Sequence, residues 1–125
     1  MTDIADFLRA RYQERRALAE AASPGPWHVN AEHDEVLAID GITVAEGFAL
    51  SGRQLRATTE HIATHNPEDI IADLDAKLAI VDELDAADPN GGYITAMFTA
   101  QDALRLLAQP FAGHPDYKGE EWAVD

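Results

Sequence analysis

The sequence predicts an α+β fold, with about four helices packed against a small antiparallel sheet of about three strands. Three observations lead there. Apolar residues recur at helical steps behind Asn66-Pro67, an Asp40-Gly41 pair separates two β-rich runs, and Pro/Gly clusters punctuate the chain at 23–26 and 88–92. The 125 residues suit a single domain, 1–125, which buries about two-thirds of its unfolded surface.

A first helix is expected over 3–22, where Ile4, Phe7, Leu8, Ala17, Leu18 and Ala21 mark its apolar stripe. Arg9, Arg11, Glu14, Arg15 and Arg16 read as its charged outer face with local ion pairs. Ser23-Pro24-Gly25-Pro26 ends it, because proline removes a donor and fixes φ. The sheet is expected over 27–46. Trp27-His28-Val29 starts an extended segment, and Glu35-Val36-Leu37-Ala38-Ile39 and Ile42-Thr43-Val44-Ala45-Glu46 flank a two-residue Asp40-Gly41 hairpin turn. Trp27, beside two prolines, reads as a plug over the sheet edge. So small a sheet needs a helical cover, which the first and third helices are expected to supply.

The second helix, 53–65, meets the third, 67–87, at Asn66-Pro67-Glu68-Asp69. That junction combines a capping amide, a proline at the first turn, and two carboxylates at the positive end of the helix dipole. Ile70, Ile71, Leu74, Leu78, Val81 and Leu84 then form one stripe, with Asp73, Asp75, Asp82, Glu83 and Asp85 opposite. A fourth helix is expected over 93–108, with Tyr93, Met97, Ala100, Leu104 and Leu107 on one face that belongs to the core or to a dimer contact. Residues 109–125 read as a wrapping tail with Tyr117 and Trp122 as anchors.

Charge and composition narrow the function. Nine basic residues against 23 acidic ones give −14, and from residue 57 onward only Lys77, Arg105 and Lys118 oppose 14 acids. Such a surface repels phosphate, so direct nucleic-acid binding is not expected. It suits a basic protein, or a groove that normally takes nucleic acid. There is no cysteine, which removes disulfides, thiolate metal sites and cysteine nucleophiles. The N-terminus lacks a basic region followed by an apolar run, and no span approaches the length needed to cross a bilayer. A soluble cytoplasmic protein without membrane contact is therefore expected.

Chemistry-bearing motifs are few. His61 and His65 stand at i and i+4 on one helix face with Glu60 beside them, a spacing that can give two imidazoles to one metal. No glutamate lies between them as metalloprotease chemistry requires, and a third ligand would have to be brought near by folding from His114, His28, His33 or Asp34. The competing reading places His65 at a helix C-terminus, bonding terminal carbonyls. No Gly-x-Gly-x-x-Gly, Walker loop or Gly-x-Ser-x-Gly is present, and no cofactor is expected.

Ser-Pro-Gly-Pro-Trp27, Asp-Gly-Ile-Thr-Val-Ala-Glu46, His61-Ile-Ala-Thr-His65-Asn-Pro67, Leu104-Arg-Leu-Leu-Ala-Gln-Pro110, His114-Pro-Asp-Tyr117 and Glu-Glu-Trp122 follow in this order. With them the chain resembles a family of small proteins of unknown function from actinobacteria and their phages and prophages. The resemblance implies a phage or prophage setting and no particular activity. Many similar sequences carry a cysteine-containing insertion between the third and fourth helices, which implies metal binding there. Here the short 87–92 connection replaces it, and that role does not carry over.

The preferred reading is a non-enzymatic interaction or regulatory factor that binds a basic host or phage protein, with a homodimer as a further partner. Asp73, Asp75, Asp82, Asp85, Tyr117 and Trp122 are its contact residues. One alternative is a metal-binding or metal-assisted hydrolase module using His61 and His65. Another is an acidic nucleic-acid mimic that blocks a DNA-binding protein.

Overall fold

The computed structural model describes residues 3–87 and 99–124. It is an α+β structure whose described elements run α1 (Ile4–Ala21), β1 (His28–Val29), β2 (Glu35–Leu37), β3 (Thr43–Glu46), α2 (Gly52–Thr64), α3 (Pro67–Ala86) and α4 (Ala100–Ala108). Two 3-10 turns, Gln109–Phe111 and Gly119–Trp122, follow α4. The residues group into two compact units, one from Arg15 to Leu74 and one formed by the residues up to Glu14 with those from Asp75 on. No helix among the described residues is long and apolar enough to cross a membrane.

The Arg15–Leu74 unit holds the sheet. Its strands lie in the order β1-β2-β3, all antiparallel, with Val29 opposite Val36 and Val36 opposite Ala45. The Asp-Gly hairpin is present, but its loop has three residues rather than two. The Ala38 amide donates to the Ile42 carbonyl, and Gly41 donates back to the Ala38 carbonyl. Gly41 supplies the positive φ of 82°, as a turn closed by a left-handed residue requires. Farther along, the register shifts between Val36 and Leu37, which is the geometry of a bulge.

The helix packed on β1 and β2 is α2, where the sequence predicts α1 and α3. The reason lies in small residues. On α2, Thr59 and Ala63 are buried, and Gly47 approaches so closely that a Cβ there would lie 2.9 Å from Leu55 Cδ1 and Thr59 Cγ2. Thr59 Oγ1 turns inward, within hydrogen-bonding distance of the His33 carbonyl at 3.1 Å and the Leu55 carbonyl at 3.0 Å. A hydroxyl is thereby satisfied in a fully buried position. Val36, Ala38 and Leu74 complete the buried apolar set of this unit, together with Ala19. Beyond the middle of α1 the predicted stripe fails, since Ala17 and Ala21 are exposed and Leu18 is 72% exposed.

The second unit is built around Phe7. Its ring lies 4.9 Å from Trp122, 5.6 Å from His114, 6.1 Å from Phe111 and 6.2 Å from Tyr117, centroid to centroid. Ile4, Leu8, Tyr12, Val81 and Leu104 are buried in the same unit. Gln109 binds the tail back on itself, its Nε2 lying within hydrogen-bonding distance of the Arg105 carbonyl, the Tyr117 hydroxyl and the Trp122 carbonyl. The described fourth helix begins at Ala100, where Thr99 caps it reciprocally with Asp102. Tyr93 and Met97 lie outside the described residues. The backbone amide and hydroxyl of Thr99 hold the Asp102 carboxyl below its ordinary range. That cap therefore contributes above the ordinary carboxylate pKa and is lost as pH falls through the lowered value.

The close approach at Gly47 gives a direct test. Gly47→Ala places a methyl against Leu55 and Thr59, and overpacking of this kind costs about 1–3 kcal/mol. Urea unfolding should show a lower midpoint with an unchanged slope, while Gly52→Ala, where a Cβ meets nothing within 4 Å, escapes that packing penalty.

Candidate functional site

The Asn66-Pro67 junction borders an open hollow of the Arg15–Leu74 unit. Asn66 is a buried polar residue, and every part of its amide is used. Nδ2 donates to Asp69 Oδ2 at 2.9 Å and to the Ala63 carbonyl at 3.4 Å, while Oδ1 accepts from the Asp69 amide at 3.3 Å. Its own carbonyl accepts from Ile70 at 3.1 Å. One side chain thus closes the end of α2 and opens α3, where unpaired helix-end groups need partners. Glu68, one residue into α3, accepts from the Gly25 amide at 3.1 Å. A Cβ on Gly25 would meet the Glu68 carboxylate, so a larger residue there would have to displace the group that receives the Gly25 amide.

That loop delivers Trp27, whose indole Nε1 donates to the Ser23 carbonyl at 2.9 Å. Trp27, His28, His33, Glu60, Asn66 and Asp69 are among the residues around an open hollow of about 380 Å³. Trp27 also lines a second, more apolar hollow of about 340 Å³ with Leu18, Pro67 and Ile70, which accounts for the apolar Leu18 on an exposed stretch of α1.

His33 is the unusual member of the first hollow. It sits at φ 60°, left-handed backbone that costs a non-glycine residue about 1–2 kcal/mol. The surrounding turn holds it there. Asn30 Oδ1 accepts from the amides of Asp34 and Glu35, the His33 amide donates to the Asn30 carbonyl, and the His33 carbonyl accepts from Thr59. His33 Nδ1 is buried and has no hydrogen-bond partner, an uncommon state for a buried polar atom.

His61 and His65 do meet, with ring centroids 4.4 Å apart and planes at 52°. His65 is the residue that caps α2, and its Nδ1–H donates to the His61 carbonyl at 2.7 Å. This is the helix-terminal bonding that the sequence offers as the competing reading. No group of three or more His, Cys, Asp or Glu placed to hold a metal occurs among the described residues.

The predicted contact residues divide. Asp73 and Asp75 are exposed on α3. Asp82 and Asp85 both take Arg9 of α1, through Nε and Nη2 at 2.9 Å, while Arg9 Nη1 reaches Asp6 at 3.1 Å. The hydrogen bonds that Arg9 donates to Asp85 and then Asp82 raise its pKa further above the ordinary value. Trp122 is 5% exposed and Tyr117 is half-buried. Both anchor the tail against Phe7, which leaves Trp122 little surface to offer a partner. Arg11, expected on the outer face of the first helix, is buried instead. Its guanidinium lies 5.0 Å from the Phe7 ring centroid, is paired with Glu14, and donates to His114 Nδ1 at 3.2 Å.

Neither the hollow beside Trp27 nor the role of His33 is legible in the sequence, since both depend on how the 30–35 turn meets α2. The signal that does exist is the pair of punctuated segments, Gly-Pro-Trp and Asn-Pro, that the Gly25–Glu68 hydrogen bond joins. For the Arg9 network, Arg9→Met should lower stability by about 1 kcal/mol, the range of partly exposed ion-pair networks. Added salt should shrink the difference between wild type and variant. Thermal unfolding at low and high salt checks both.

No curated protein and no solved structure matches this chain. The sequence model of a family of unknown function does match, over residues 1–124, and the chain therefore belongs to that family, DUF6221.

Proposed function

We propose that this protein is a non-enzymatic interaction factor that binds a basic protein, in the cytoplasm of a bacterium and in the phage or prophage setting that its sequence motifs imply. The observation that carries the reading is the exposed acidity of α3. Asp73, Asp75 and Glu83 are solvent-facing in a chain of net charge −14, and charge of one sign on a surface steers association with the opposite sign. Exposed apolar contacts accompany it. Phe48 and Leu50, in the loop before α2, are 86% and 103% exposed, and Phe48 takes the aromatic anchoring role that the buried Trp122 does not.

Asp82 and Asp85 have a different part in this reading. Because they bind Arg9, their first role is to hold α1 and α3 together. The test therefore leaves them untouched. A tagged pull-down from actinobacterial lysate, beside a charge-matched acidic control protein, should capture a saturable basic partner that the control does not. Capture should weaken with added salt and fall several-fold in the triple variant Asp73→Asn, Asp75→Asn, Glu83→Gln. A partner captured equally well by the variant would overturn the acidic-surface reading.

A further inference from the structure

We infer that the hollow beside Trp27 is a guanidinium site that receives an arginine side chain. The inference deepens the preceding reading and rests on it for the source of that side chain, a basic protein partner. About 380 Å³ stands near the small end of ligand pockets, which span about 300–1,000 Å³. It is room for a side chain or a single small molecule.

The chemistry of the lining then selects the ligand. Glu60 and Asp69 bring carboxylates, and no lysine or arginine lines the hollow, so an anion is disfavoured. Metal is disfavoured too, since no three His, Asp or Glu among the described residues are placed to hold one. Trp27 has its indole N–H committed to Ser23, which leaves its π face as what it offers a ligand. A flat cation with several N–H donors matches a π face beside carboxylates, and guanidinium is that group.

One further observation fits a cation. Ala63 and Thr64, in the last turn of α2, also line the hollow, and the carbonyl end of a helix favours positive charge. The first turn of α3 acts in the opposite sense, but it carries Glu68 and Asp69, whose charges offset it. Asp69 is held by Asn66 at 2.9 Å, whereas Glu60, exposed on α2, is the carboxylate that closes over the ligand.

Calorimetric titration of the full chain tests the site, with capped arginine (Nα-acetyl-arginine amide) as the probe and capped citrulline as its uncharged isostere. Arginine should bind at one site, citrulline about tenfold or more weakly, and Glu60→Gln should weaken arginine by a similar factor. Thermal unfolding of Glu60→Gln should match wild type, since the residue is exposed. Amide NMR of the unmodified protein gives an independent readout, with shifts concentrated at the Trp27 indole, Glu60 and Asp69. A short Gly-Arg-Gly peptide binding at least as well as free arginine assigns the site to a protein-borne side chain, and tighter free arginine assigns it to the amino acid. Absence of binding, equal binding of citrulline, or unchanged affinity in Glu60→Gln overturns the inference. The titration needs no partner, so it can fail while partner capture stands, or succeed while capture fails.

Discussion

A single buried amide carries much of the Arg15–Leu74 unit. Asn66 donates to the end of α2 and to Asp69, and accepts from the first turn of α3. A cap of this type contributes about 1 kcal/mol, and its removal would also leave the buried Ala63 carbonyl without the Asn66 donor. The consequences extend beyond the two helices. Where α3 begins sets where Glu68 stands, Glu68 receives the Gly25 amide, and the 23–27 loop then carries Trp27 to the hollow. Pro67 contributes by fixing φ where no amide is needed.

The residues up to Glu14 and from Asp75 on depend on a different device. Phe7 is the hub on which Phe111, His114, Tyr117 and Trp122 converge, and aromatic edges and faces at such distances add to simple burial. Arg9 complements it at the surface, drawing Asp82 and Asp85 of α3 to α1. An acidic chain thus spends part of its negative charge internally. Among the carboxylates of α3, Asp82 and Asp85 bind Arg9, Glu68 takes the Gly25 amide and Asp69 takes Asn66, roles that a helical-wheel reading does not display.

What the sequence makes legible follows from local physics. The Asn66-Pro67 junction, the α3 stripe with Leu74 and Val81 buried, the Asp-Gly hairpin and the α+β class all depend on spacing, capping and turn chemistry within a few residues. Where sequence reasoning departs from the structure, a long-range partner decides. Leu18 has the right spacing for a core residue and is exposed. Arg11 looks like an outer-face charge and is buried, because Glu14, His114 and the Phe7 ring receive its guanidinium. The cover of the sheet falls to α2 because Gly47, Thr59 and Ala63 permit a close approach that no hydrophobic pattern displays. His33 gives no warning in sequence at all, since its left-handed backbone is imposed by Asn30 and Thr59.

Asn66 couples the helix junction to the loop bearing Trp27, and amide hydrogen exchange on Asn66→Ala reads that coupling at both ends. Under this account, protection falls at Asp69 and Ile70, which bond Asn66 itself, and also at Gly25, which bonds only Glu68. The Trp27 environment, followed by its indole resonance, should shift in the same variant. If exchange quickened at Asp69 and Ile70 while Gly25 and the Trp27 indole kept their wild-type behaviour, the junction would be a local cap and nothing more.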